Sequence, residues 1–61
     1  MDDSERLAHD LANAVSIALA NVEGMADGIV QTTPARLEAI AESLRRARDL
    51  IEQLRARDAR S

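Results

Sequence analysis

The chemistry this sequence can offer centres on His9, the single histidine among 61 residues that include no Cys. An imidazole in water is largely neutral and nucleophilic at pH 7, so a surface histidine can accept a group on a ring nitrogen and give it up again. Asp10 places a carboxylate next to it in the chain, able to hold the ring in one tautomer. On a helix, Asn13 follows His9 by one turn and Ser16 by two, on the same face. Ala12 and Ala20 flank them with little bulk, and Ile17 borders the patch, so a partner could approach His9 closely and find one apolar contact. One His and no Cys supply neither a structural zinc site nor a disulfide framework, and no metal or cofactor is expected.

Two helices must position these residues. Asp2 with Glu5 three positions on reads as a capping pair, with Ser4 as a competing cap. From there Leu7, Leu11, Val15, Ala18, Val22, Met25 and Ile29 recur at steps of three and four and form one stripe, widened by Ala14, Leu19 and Ala26. His9 lies roughly 160° from the centre of that stripe at 100° per residue, and so faces water. Gly24 weakens the helix locally, and Gly28 is the better terminator because glycine takes the left-handed conformation after a helix end. This predicts a first helix over about 3–28 and a turn over 29–33. Thr33-Pro34 then supplies an N-cap and a proline in the first helical position. In the second helix, about 34–58, Leu37, Ile40, Leu44, Ala47, Ile51 and Leu54 alternate steps of three and four, a heptad seam broadened by Ala41 and Leu50. The short connection makes the helices antiparallel neighbours.

Size decides how the apolar stripes are covered. A chain of 61 residues with 46% apolar content and no aromatic residue has little to enclose by itself, and domains this small usually rely on disulfides, a metal or a partner. With the first two excluded, self-association is left. The fold class expected is all-α: an antiparallel two-helix hairpin forming a homodimeric four-helix bundle. Its dimer core would be Leu7, Leu11, Val15, Ala18, Val22 and Met25 with Leu37, Ile40, Leu44, Ile51 and Leu54.

The stretch His9-Asp10-Leu11-Ala12-Asn13, continued by residues 14–23, resembles the first helix of histidine-kinase dimerisation and histidine-phosphoacceptor domains, in their His-Asp-Leu-Asn-Asn version. Residues 34–54 are similar to the second helix of such domains in length and pattern. The resemblance implies a homodimer in which His9 carries phosphate on a ring nitrogen. It implies that Asp10 positions or deprotonates the imidazole, and that Asn13 orients water in dephosphorylation. Two departures stand out: Ala12 replaces a polar residue, and the Arg-Thr-Pro continuation of the commonest version is missing. No Gly-rich loop or ATP-binding domain accompanies the hairpin, so phosphate must come from a separate histidine kinase or from a phosphorylated response-regulator receiver domain. The implied function is a standalone histidine phosphotransfer module, with Ala12, Ser16, Ile17 and Ala20 as the receiver-docking surface. A non-catalytic decoy or inhibitor that docks on a kinase or receiver, and a plain structural bundle, are the alternatives.

Charge narrows the partners further. The net charge is −3, and the arginines Arg45, Arg46, Arg48, Arg55, Arg57 and Arg60 alternate with Glu42, Asp49, Glu52 and Asp58. A nucleic-acid surface is usually basic overall and often carries stacking aromatics, which argues against nucleic acid here. No stretch approaches the roughly 20 apolar residues of a membrane span, and the acidic start is unlike a signal peptide. A cytoplasmic location is expected.

Overall fold

The computed structural model describes residues 1–60, with side chains through Ala59. Two helices, α1 (Asp3–Ala26) and α2 (Pro34–Arg60), pack against each other as an antiparallel hairpin with extents of 45 × 19 × 13 Å. Of the two competing caps, Asp2 is the one used: its Oδ1 accepts from the Glu5 backbone N–H at 2.7 Å. That hydrogen bond to the charged form holds the Asp2 carboxyl below the usual aspartate value.

The first helix stops at Ala26, two residues before the expected end, because the terminating signal reaches back from Gly28. Gly28 has φ +74°, its N–H donates to Met25 O at 3.2 Å, and the Ile29 N–H donates to Gly24 O at 2.9 Å. This is the paired 5→2 and 6→1 arrangement of a Schellman motif, with glycine in the left-handed position. Val30 then folds back over Gly24, where an added Cβ would lie 3.1 Å from Val30 Cγ2. Thr33 caps α2, its Oγ1 accepting from the Arg36 N–H at 3.1 Å. Near the turn Arg36 Nη1 donates to Asn21 Oδ1 at 3.3 Å, and Asn21 Nδ2 donates to Ile17 O at 2.9 Å. At the open end Arg57 reaches Ser4 Oγ at 3.1 Å and Asp3 Oδ2 at 3.5 Å. The register is thus pinned at both ends.

The core of the hairpin is small: Ala14 and Ala18 on α1 and Ala47 and Leu50 on α2. Alanines at the contact let the helices approach closely. Leu50, which the sequence places at the edge of the seam, is the deepest side chain at 1% exposed. Leu7, Leu11, Met25, Ile40 and Leu54 are half-buried beside it. Val15, Leu19 and Val22 on α1 and Leu37, Leu44 and Ile51 on α2 remain exposed. The apolar arc of each helix is therefore wider than one neighbour can cover. On both helices the uncovered part is rotated by roughly 80–100° from the hairpin contact in the same sense. Because the helices run antiparallel, both uncovered stripes fall on one side, giving the hairpin a single apolar face.

The accessible surface makes the same point. It is 4566 Å², whereas a compact monomer of 6.6 kDa would expose roughly 3,900 Å².

Candidate functional site

His9 sits in the second turn of α1, on the side turned away from α2, and is exposed. Its position follows from the helical period: Leu7 and Leu11 fall on the side toward α2 and are half-buried, and His9, two residues from each, is carried roughly 160–200° around. Asn13 Nδ2 lies 3.4 Å from His9 Nε2. The amide N–H can donate to Nε2 when the ring proton sits on Nδ1. That is the tautomer in which Nε2 is the nucleophile.

Asp10 does something else. Its carboxylate is turned across the hairpin, with Oδ2 4.0 Å from Nη2 of Arg46 on α2, and it is half-buried. The two residues are adjacent in the chain but about 100° apart on the helix, so the direction that exposes His9 aims Asp10 at α2. Arg46 is thus a neighbour of the site that the sequence pattern of α1 does not reveal. The only signal for it is the opposite charge at the matching level of the second helix, which needs the register to be read.

The remaining small residues fall as a low surface beside the imidazole. Ala12, Ser16 and Ala20 are exposed, and Ile17 is 54% exposed among them. Ile17 and Ala20 lie on the side away from the apolar face, whereas Ala12 and Ser16 border it. Of the residues expected to form a dimer core, Val15, Val22, Leu37, Leu44 and Ile51 are on the exposed apolar face, and Ala18 is enclosed between α1 and α2.

The chain matches no family model, no curated protein and no solved structure. The geometry therefore stands on its own residues.

A shallow groove of about 390 Å³ opens between the helix ends, lined by Asp3, Arg6, Leu7, Gln53, Ala56 and Arg57. It includes neither His9 nor Asn13. Among the described residues no cluster of three or more His, Cys, Asp or Glu side chains could hold a metal ion, and no helix is long and apolar enough to cross a membrane.

Proposed function

We propose that this chain is a dimeric histidine phosphotransfer module of a two-component relay, working in the cytoplasm, with His9 exchanging a phosphoryl group with a response-regulator receiver domain. The observation that carries the reading is the outward imidazole whose Nε2 is met by Asn13 at 3.4 Å, on a low surface whose Ile17 side faces away from the apolar face. In the step itself, the Nε2 lone pair attacks the phosphorus of the receiver's aspartyl phosphate. The P–N bond forms, the P–O bond to the aspartate breaks, and the aspartate leaves as a carboxylate. The receiver brings its own Mg²⁺ to neutralise the phosphoryl oxygens. Asn13 stands one turn along beside Nε2, and Ile17 with its small neighbours gives the receiver a surface to lie on.

The resemblance of residues 9–23 to phosphoacceptor helices supports the choice of phosphate over other groups. The surplus of roughly 700 Å² over a compact monomer supports the dimer, because a stable interface takes about 800 Å² from each partner.

Incubation with a phosphorylated receiver tests the reading. Acid-labile, alkali-stable phosphate is expected on the wild type and not on His9→Ala, whose helicity should be unchanged because His9 is exposed. Equal labelling of both proteins, or of neither, refutes it; receiver binding without any transfer would leave the non-catalytic docking protein as the answer.

A further inference from the structure

Arg6 is the sole basic residue of α1 apart from His9, and it stands one turn before the imidazole. Two carboxylates lie at the spacings from which ion pairs form along a helix, Asp3 three residues before Arg6 and Asp10 four residues after it. Both are engaged by the other helix instead: Asp3 meets Arg57 at 3.5 Å and Asp10 meets Arg46 at 4.0 Å. Asp2 is occupied at the cap, accepting from the Glu5 N–H. Among the described residues the Arg6 guanidinium is therefore in no ion pair. It is exposed, at the edge of the shallow groove.

The reactive edge of the imidazole is on the Arg6 flank. At 100° per residue Asn13 lies about 40° and Arg6 about 60° from His9 in one sense around the helix, whereas Glu5 lies about 40° away in the other. Asn13 meets Nε2 at 3.4 Å, so Nε2 is turned toward the flank that Arg6 shares and away from Glu5. Side chains on a helix also lean toward its N-terminus, which carries His9 over the turn that holds Arg6. The charged groups around the ring are thus Glu5 on the opposite flank, Asp10 with Arg46 of α2, and Arg6. Of these, Arg6 alone is both positive and unpaired.

We infer that Arg6 holds the phosphoryl group on His9, its guanidinium donating to two of the phosphoryl oxygens from the turn below while Asn13 stands on the turn above. The inference rests on the phosphotransfer reading and adds the residue that binds the transferred group. A phosphoryl group on Nε2 brings negative charge and three acceptor oxygens, and the planar fork of a guanidinium fits two of them at once. Arg46 and Arg57 have a part in this. By engaging Asp10 and Asp3 they keep the two nearest carboxylates from neutralising Arg6 before phosphate arrives.

Loading His9 with phosphoramidate tests the pairing without a receiver: the Nε2 lone pair attacks phosphorus, the P–N bond to ammonia breaks, and ammonia leaves. The pH midpoint of the attached phosphoryl group is then read by phosphorus NMR in the wild type, Arg6→Gln, Arg6→Lys and Arg45→Gln. Arg45 is the control, since it pairs with Glu38 on the far side of α2. A neighbouring cation favours the doubly charged phosphoryl group and lowers its midpoint, so Arg6→Gln should raise the midpoint by about half a pH unit. Arg6→Lys should keep most of the wild-type value, and Arg45→Gln should match it. Equal midpoints in the wild type and Arg6→Gln, or a shift that Arg45→Gln reproduces, overturn the pairing. A His9 that phosphoramidate does not load overturns the pairing and the phosphotransfer reading together. A loaded protein that shows the Arg6 shift but exchanges nothing with a phosphorylated receiver overturns the relay function and leaves the pairing standing.

Discussion

Asp10 follows His9 in the chain yet turns its carboxylate to Arg46 on the other helix, 4.0 Å away, leaving Asn13 as the residue that meets the imidazole. Both partners of the ion pair keep solvent contact, with side chains 36% and 63% exposed. A double-mutant cycle of Asp10→Asn and Arg46→Gln is therefore expected to give a coupling of about 0.5 kcal/mol or less. Repeating urea melts at 1 M NaCl should remove most of that coupling, because the Debye length falls to about 3 Å. A coupling several times larger would mean the pair is better shielded than this geometry allows.

Leu50 and Ile51 are neighbours with different roles. Leu50 is 1% exposed within the hairpin, whereas Ile51 is 42% exposed on the apolar face. Leu50→Ala should cost about 3 kcal/mol in denaturant unfolding at any protein concentration, as a truncated leucine leaves a cavity the core cannot fill. In the proposed dimer Ile51→Ala should act on association: its effect on the melting curve grows as the protein is concentrated and disappears on dilution, and an effect independent of concentration would count against the dimer.

The turn offers a contrast between two glycines. Gly28→Ala is expected to destabilise by about 1–2 kcal/mol, since φ +74° forces a Cβ into the left-handed region. Gly24→Ala would ordinarily strengthen a helix by about 1 kcal/mol, but its Cβ would press on Val30 Cγ2 at 3.1 Å. In a Val30→Ala background the gain should be recovered. Thermal melts of the four proteins measure this, and equal effects of Gly24→Ala in both backgrounds would show that Val30 does not press on the site.

Acid should loosen the start of α1. The Glu5 N–H holds the folded Asp2 carboxyl below its usual value, so its contribution is fully present above the unfolded value of about 3.9 and is lost as pH falls through the lower folded value. Asn caps helices as well as Asp but does not titrate. Asp2→Asn should therefore lose less helicity than the wild type between about pH 4 and pH 2, read from amide exchange in the first turn. Identical acid profiles would remove Asp2 from the account.

The periodic spacing of Leu, Ile, Val and Ala, the Thr33-Pro34 start and the glycine after α1 were enough to imply two helices and a turn, because these signals are local. The outward placement of His9 was legible for the same reason: its angle from Leu7 and Leu11 is fixed by the helical repeat. What needed the tertiary structure was the division of each broad apolar arc. Ala14, Ala18, Ala47 and Leu50 became the hairpin contact and Val15, Val22, Leu37, Leu44 and Ile51 the open face, since small side chains admit a closer helix. Periodicity reports how wide an apolar arc is but cannot say which part meets which neighbour. The pairing of Asp10 with Arg46 was hidden likewise: it depends on the register between helices, which is set where Arg36 meets Asn21 and Arg57 meets Asp3.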